Sequence, residues 1–336
     1  MTRRAFYGLH LQDSINDWPI FYEPHFGLGV FKSVMAFERC AEAKVRNPAI
    51  ITIARQYVAH QGQYLERCTD GWGAMGAAED YIKTFRDAAL ALGSAVDYWE
   101  SLNETYSHDW NDTRRGVLFD WAFAVLFPAM VPCSRPLVFT AAIGNPDLAF
   151  LPAMRDIGLF DAVLQSGGVM GYHTYWPVYY GHSFVGDPNV ARDLHMRWAE
   201  IDAWLVGKGY KLPWLPTEAG PVGCNNPADW AQHGYGLRAP DGWRHGSVWG
   251  GALPGYINDL DTWRQMLIAT PAYQRGHYLG DTHFTSGGGE MWQNFELTTG
   301  DWQVLANHAA QSAPLPAPAP PPPPPPPPLP GATTAP

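Results

Sequence analysis

The segment Asp97-Tyr98-Trp99-Glu100-Ser101-Leu102-Asn103-Glu104 is a short, largely apolar run that ends in an Asn-Glu pair. A second segment, Leu212-Pro213-Trp214-Leu215-Pro216-Thr217-Glu218-Ala219-Gly220, also ends in a glutamate, which small residues and proline follow. Runs of this length and composition are typical of buried strands, and each one leads into a loop. The two segments therefore predict two strands, each presenting a glutamate at its carboxyl end.

Further short β-rich runs alternate with amphipathic helical stretches along residues 1–311, such as Ala77–Leu92, Asn189–Val206 and Asn258–Ala269. This alternation is typical of an α/β fold with a parallel sheet. Eight strands in one catalytic domain predict a (β/α)8 TIM barrel. We expect them at Phe6–Leu11, Gly29–Val34, Ile50–Arg55, Ala95–Leu102, Leu137–Ala142, Val169–Tyr175, Leu212–Thr217 and Tyr278–Phe284.

Glu104 and Glu218 lie at the ends of the fourth and seventh predicted strands. The loops that follow barrel strands share one face of the fold, so we expect the two carboxylates to converge although 114 positions separate them (218 − 104). Glycoside hydrolysis requires two carboxyl groups on either side of the scissile bond. Each glutamate, taken alone, could also have a structural role and not a catalytic one, since a glutamate after a strand is a common residue at a helix N-terminus.

A third segment, Gly171-Tyr172-His173-Thr174-Tyr175-Trp176, ends the sixth predicted strand. The three segments together resemble glycoside hydrolase clan A, whose members are retaining glycosidases on a (β/α)8 barrel. The resemblance implies that Glu104 is the acid/base and Glu218 the nucleophile. It also implies that Asn103 bonds the substrate 2-hydroxyl and that Tyr175 bonds the nucleophile. It does not identify a family within the clan.

The chain departs from the clan pattern at two positions. Clan members often carry an arginine near the second strand, whereas Arg55 follows the third predicted strand here. Trp292 comes only after a glycine run that follows the eighth strand, where a sugar-stacking tryptophan is common. The other substrate-binding candidates also fit buried structural roles; they are His10, Gln12, His173, Trp176 and Trp249.

Composition narrows the classes of partner. The net charge is −10 and no basic cluster is present, which argues against a nucleic-acid partner. Aromatic residues make up 14% of the chain, and their rings stack on the C–H faces of sugars, which favours an oligosaccharide or polysaccharide. The 12 histidines form no HxH or HExxH motif, so we expect neither a metal nor another cofactor.

Targeting signals are not evident in the sequence. No stretch of about 18 apolar residues predicts a membrane span, and the first residues lack the apolar core of a signal peptide. We therefore expect a cytoplasmic protein or one that is released without a signal. Residues 312–336 are dominated by proline and predict an extended polyproline II tail that could tether another module or a structural partner.

Two alternative functions remain open at this stage. The first is a peptidoglycan lysin of the phage or prophage type on the same barrel, which would suit the tail and the absence of a signal. The second is an inactive carbohydrate-binding or structural protein, which would keep an aromatic cleft but would not need both glutamates. The presence of the pair favours a glycosidase that cleaves β-linked glycans.

Overall fold

The computed structural model describes residues 8–11, 29–179, 182–223, 253–286 and 298–311. Within them the strands belong to one sheet in the order β6-β5-β4-β3-β2-β1-β10-β9-β7-β8. The strands are β1 Gly8–Leu11, β2 Val30–Val34, β3 Ile51–Arg55, β4 Tyr98–Glu100, β5 Arg135–Val138, β6 Val169–Met170, β7 His173–Tyr179, β8 His182–Ser183, β9 Glu218–Gly223 and β10 His283–Ser286.

Helices connect the strands and pack around the sheet. They are α1 Glu38–Arg46, α2 Gly62–Leu65, α3 Gly71–Lys83, α4 Arg86–Leu92, α5 Trp110–Met130, α6 Leu151–Ile157, α7 Leu159–Ser166, α8 Pro188–Asp193, α9 Arg197–Gly207, α10 Leu253–Ala269, α11 Pro271–Gln274 and α12 Thr299–Gln311. Among the described residues, none of these helices combines the length and apolarity needed to cross a membrane.

The sheet closes on itself. Strand β1 pairs in parallel with both β2 and β10, and β7 and β10 both pair in parallel with β9. Strands β6 and β7 belong to one stretch of chain, and parallel bridges link Met170 to Trp214 and Trp214 to Tyr278. The short β8 pairs with β7 and is antiparallel to it. The fold is an α/β (β/α)8 barrel, as the alternating pattern predicts.

Several element boundaries differ from those expected. The fourth strand is limited to Tyr98–Glu100, because Gly93–Ala95 forms a 3₁₀ turn. At the seventh position the regular ladder begins only at Glu218, since Pro213 and Pro216 have no amide hydrogen to donate. The helix expected at Ala77–Leu92 is divided into α3 and α4, and that expected at Asn189–Val206 into α8 and α9.

Two apolar clusters hold the barrel together. The larger lies between the sheet and the helices and includes Trp198, Ile201 and Leu205 on the buried face of α9. The smaller contains one side chain from each of seven strand positions, and such residues can meet only inside the barrel. We call it the lumen cluster; it comprises Val30, Ile53, Tyr98, Leu137, Val169, Leu215 and Leu279.

Strand β1 contributes a glycine, Gly8, next to the lumen cluster. A Cβ atom at Gly8 would lie 1.9 Å from the carbonyl oxygen of Asp281 and 2.9 Å from the Cβ of Val30. Only glycine therefore allows β1 to pack this closely against its neighbours, which is a common use of the residue inside sheets. The predicted tail at 312–336 lies outside the described residues.

Candidate active site

On three of the strands, the residue two positions after the lumen-cluster residue is charged and not apolar. Lys32, Arg55 and Glu100 each follow a member of the lumen cluster by two positions, and side chains two apart in a strand point to the same face. All three are buried. We call them the charged layer. The apolar lumen thus gives way to ionisable groups towards the carboxyl ends of the strands, where a barrel carries its active site.

Lys32 and Glu100 form a fully buried ion pair. The Lys32 Nζ lies 2.8 Å from Glu100 Oε2 and 3.1 Å from Glu100 Oε1. Thr217 Oγ1 donates a hydrogen bond to Glu100 Oε1 at 2.8 Å, and Lys32 Nζ also donates to the Thr217 carbonyl at 3.3 Å. Burial lowers the pKa of Lys32, while Glu100 and Glu218 favour its charged form. The sequence prediction missed both members of this pair.

Glu218 begins β9 and accepts hydrogen bonds from three sides. The Tyr175 hydroxyl donates to Oε2 at 2.8 Å, Arg55 Nη1 donates to Oε1 at 3.2 Å, and Lys32 Nζ donates to Oε1 at 3.4 Å. Only 8% of the side chain is exposed to solvent. A carboxylate held this way is fixed in position and surrounded by donors.

The charges around Glu218 determine its protonation. Burial raises the pKa of the carboxyl, but nearby basic side chains outweigh that effect and hold the pKa well below its usual value. In decreasing order of effect these are His173, Lys32, His10 and Arg55. The His10 Nδ1 lies 3.8 Å from Glu218 Oε1. Glu218 is therefore ionised at neutral pH.

Glu104 lies in a different environment. Its backbone has a φ of +51°, in the left-handed region, and its amide donates to the Thr140 carbonyl at 3.0 Å. Non-glycine residues in that region are held there by their surroundings, and they are enriched at functional sites. The side chain is 40% exposed, and Oε1 lies 2.7 Å from His173 Nδ1. Glu104 thus reaches solvent from a constrained backbone.

The two glutamates meet beside His173. The His173 Nδ1 also lies 3.6 Å from Glu218 Oε2, so the imidazole bridges the two carboxylates. One carboxylate oxygen of Glu104, one of Glu218 and one ring nitrogen of His173 all lie within 4.8 Å of one another. Carboxyl groups about 5–5.5 Å apart are typical of retaining glycosidases, whereas inverting enzymes require about 6.5–9.5 Å. This short separation is the central geometric feature of the site.

Asn103 is held next to the carboxylates by contacts to both its side chain and its backbone. Arg55 Nη1 donates to Asn103 Oδ1. Gln61 Nε2 donates to the Asn103 carbonyl at 2.7 Å, and the Asn103 amide donates back to Gln61 Oε1 at 3.1 Å. No described residue accepts a hydrogen bond from Asn103 Nδ2, so this donor is available to a ligand. Sequence reasoning did not single out Gln61.

The remaining sequence candidates occupy other positions. Trp176 is fully buried, donates from Nε1 to Asp259 at 2.7 Å and stacks on Trp263, so neither face of its ring is open to a sugar. This corrects the expectation that Trp176 is a sugar platform. The candidates Gln12, Trp249 and Trp292 lie outside the described residues.

Within the described part of the chain, Glu104, His173 and Glu218 form a group that could also hold a metal ion. Asp281 and His283 are also buried, and His283 Nε2 lies 3.5 Å from Asp281 Oδ1. Asp281 Oδ2 accepts from the Tyr278 hydroxyl at 2.5 Å and from Trp263 Nε1 at 3.2 Å. These bonds are consistent with a structural role for Asp281.

Solved structures with a similar fold include several polysaccharide-degrading enzymes. A trimodular GH5_4 endoglucanase aligns with a TM-score of 0.54 at 8% identity, and the alignment covers 92% of this chain and 61% of that chain. A GH113 β-1,4-mannanase gives 0.51 at 10% identity, covering 91% and 98%. Xylanase 10B from Thermotoga petrophila, in complex with xylobiose, gives 0.52 at 11% identity, covering 91% and 94%.

Identities this low show a shared fold alone, and they confirm the (β/α)8 barrel implied by the resemblance to clan A. The chain spans about three fifths of the endoglucanase and nearly the whole length of the mannanase and the xylanase. No protein-family model matches the chain, and neither does any curated protein sequence.

Proposed function

We propose that this protein is a retaining glycoside hydrolase that cleaves β-linked glycans by double displacement. The observation that carries the proposal is the distance of at most 4.8 Å between a carboxylate oxygen of Glu104 and one of Glu218. The environments of the two groups support a division of labour. Glu218 is buried among cations and ionised, as a nucleophile must be, whereas Glu104 is 40% exposed and can exchange protons with solvent.

In the first step, a Glu218 carboxylate oxygen attacks the anomeric carbon of the bound sugar. The glycosidic C–O bond breaks, and the leaving oxygen takes the proton from Glu104. The sugar is then bonded to Glu218 as a glycosyl ester, and Glu104 is ionised. Asn103 Nδ2 donates to the 2-hydroxyl of this sugar, a bond that strengthens in the transition state.

In the second step, the Glu104 carboxylate takes a proton from water as the water oxygen attacks the anomeric carbon. The ester bond to Glu218 breaks, which regenerates the Glu218 carboxylate and the protonated Glu104. Two inversions leave the anomeric configuration unchanged. Because His173 Nδ1 lies 2.7 Å from Glu104 Oε1, the imidazole holds the acid/base in place through both steps.

The names of the similar structures indicate which substrates to test. They are an endoglucanase, a β-1,4-mannanase and a xylanase, so glucan, β-1,4-mannan and xylan are the first candidates. We further propose that residues 1–311 form one catalytic domain. Residues 312–336 would be a proline-rich tail that spaces this domain from a partner or another module.

The proposal is tested with aryl β-glycosides, the three glycans and bacterial cell walls. The anomeric configuration of the first product is measured by NMR. We expect retention in the wild type and a loss of roughly 10⁴-fold or more in kcat for Glu218→Gln. Glu104→Gln should lose about 10²–10⁴-fold, the usual contribution of general acid–base catalysis.

Asp87→Asn is the matched control, because Asp87 is an exposed carboxylate on α4, away from the site. Azide provides a second readout. It should restore turnover in Glu218→Ala with an inverted glycosyl azide as product, and in Glu104→Ala with a retained one. A wild type that inverts, or glutamate variants that behave like Asp87→Asn, would contradict the mechanism.

A further inference from the structure

A cleft of about 190 Å³ lies beside the proposed catalytic residues. It is formed mainly by the segment that follows β3 and by the first residues of the segment that follows β4. Its lining includes Arg55, Gln56, Tyr57, Val58, Gln61 and Asn103. Arg55 and Asn103 thus face both the carboxylates and this cleft, so a ligand in the cleft would adjoin the sugar held at Glu218.

Tyr57 provides an accessible aromatic side chain at this cleft. The side chain is 55% exposed, so its ring is accessible to a ligand. Its backbone is fixed, since Gln56 Nε2 donates to the Tyr57 carbonyl at 2.9 Å and the Tyr57 amide contacts Met35 Sδ at 3.3 Å. The Met35 amide in turn donates to the Arg55 carbonyl at 3.2 Å. These contacts hold the backbone from which the phenol ring projects.

The chemistry of the lining suits a neutral sugar. An aromatic face stacks on the C–H side of a pyranose, and amides bond its hydroxyls. Gln56 Nε2 is used within the protein, which leaves Gln56 Oε1 as an acceptor. The charge of Arg55 is paired with Glu218 at 3.2 Å, so the described lining residues offer no unpaired cation for a uronic acid.

We propose that this cleft is a subsite for a second, neutral sugar unit, adjacent to the unit on which Glu104 and Glu218 act, with Tyr57 as its stacking platform. The inference rests on the proposed function and specifies its substrate class. The substrate is an oligosaccharide or polysaccharide of neutral sugars, and contacts beyond one sugar contribute to its turnover. This position takes the role that the sequence suggested for Trp176.

The test compares Tyr57→Ala and Tyr57→Phe with Trp72→Ala. Trp72 is a matched control because it is 90% exposed, lies on α3 and does not line the cleft. Each variant is assayed on a β-glycosyl fluoride, which presents a single sugar, and on oligosaccharides of increasing length. We expect Tyr57→Ala to lose about tenfold in kcat/KM on the oligosaccharides alone, with Tyr57→Phe close to wild type.

An equal loss on the fluoride and the oligosaccharides would overturn the subsite, as would a loss no greater than that of Trp72→Ala. Calorimetric titration with cello-, manno- and xylo-oligosaccharides separates this proposal from the proposed function. If the wild type turns over no glycan, the proposed function fails. The subsite then stands if Tyr57→Ala weakens oligosaccharide binding relative to Trp72→Ala, and it fails if the affinities are equal.

Discussion

The lumen cluster and the charged layer occupy the same strands but differ in chemistry. Val30, Ile53 and Tyr98 pack apolar side chains against one another, while Lys32, Arg55 and Glu100 follow two positions later with buried charges. Apolar packing contributes directly to stability, because it removes surface from water. Buried charges require desolvation and must be paired to be tolerated.

The difference separates folding from function within a single strand. A pair such as Lys32 and Glu100 adds little net stability over an apolar pair of the same size. Its value lies in what it does to its neighbours, since Lys32 donates to Glu218 at 3.4 Å and helps keep that carboxylate ionised. The lumen cluster stabilises the fold, and the charged layer determines the chemistry of the site.

The largest effect should come from unpairing the charged layer. Lys32→Met removes the cation in direct contact with the buried Glu100 and leaves only Arg55, whose Nη1 lies 4.0 Å from Glu100 Oε1, so we expect a loss of about 3–5 kcal/mol in the free energy of unfolding. The double variant Lys32→Met/Glu100→Leu should recover most of that loss while its activity stays reduced. Urea unfolding and kcat are measured on the same samples. A double variant as active as wild type would show that the charges are not needed for catalysis.

Ile53→Ala tests the other side of the comparison. It removes a fully buried side chain from the lumen cluster and should cost about 2–5 kcal/mol in the free energy of unfolding. Because Ile53 contacts apolar neighbours, kcat of the folded protein should remain near that of wild type. Denaturant titration and assays well below the unfolding temperature check both parts. A large fall in kcat with unchanged stability would contradict the separation.

Tyr175→Phe removes one hydrogen bond to the Glu218 carboxylate. A hydrogen bond to a charged group contributes about 1.5–3 kcal/mol, so we expect kcat to fall by roughly ten- to a hundredfold. The pKa of Glu218 should rise, since its ionised form loses a donor. Activity needs the ionised carboxylate and is lost as pH falls through that pKa of the free enzyme, so the acid limb of the kcat/KM profile should move to higher pH. An unmoved acid limb would argue against Glu218 as its source.

Thr217→Val is expected to have the smallest effect. The substitution keeps the shape of the side chain but removes the 2.8 Å hydrogen bond to Glu100 Oε1. Lys32 still neutralises Glu100, so we expect a loss of about 0.5–1.5 kcal/mol in unfolding free energy and little change in kcat. The unfolding free energies of Thr217→Val and Lys32→Met are measured by urea titration under the same conditions and compared. A cost equal to that of Lys32→Met would mean that the hydroxyl stabilises Glu100 as much as the ammonium does.

The sequence predicts the barrel because strand and helix patterns alternate along residues 1–311. It predicts the ends of strands less well. Proline residues at 213 and 216 look acceptable in a short apolar run, yet they delay the ladder of the seventh strand to Glu218. Hydrogen bonding between chain segments decides such boundaries, and composition does not report it.

For the site, the sequence selects residues that the fold brings together, among them Asn103, His173 and Tyr175. Lys32 and Glu100 were missed although each interrupts an apolar strand. A lysine in a strand usually faces solvent, and only the closed barrel makes both faces of the sheet interior. Gln61 was missed because it acts on the backbone of Asn103, a contact that no residue pattern marks. Trp176 was misplaced because an aromatic residue near the end of a strand does not reveal its own burial.

The two reciprocal hydrogen bonds between Gln61 and the backbone of Asn103 fasten the segment after β3 to the segment after β4. Tyr57 lies four residues before Gln61 in the chain, so the aromatic ring and Asn103 are connected through these bonds. Contacts that are ordered before binding cost less conformational entropy than contacts that the ligand must order. The Gln61 amide would thereby lower the entropic cost of binding for a glycan that engages both residues.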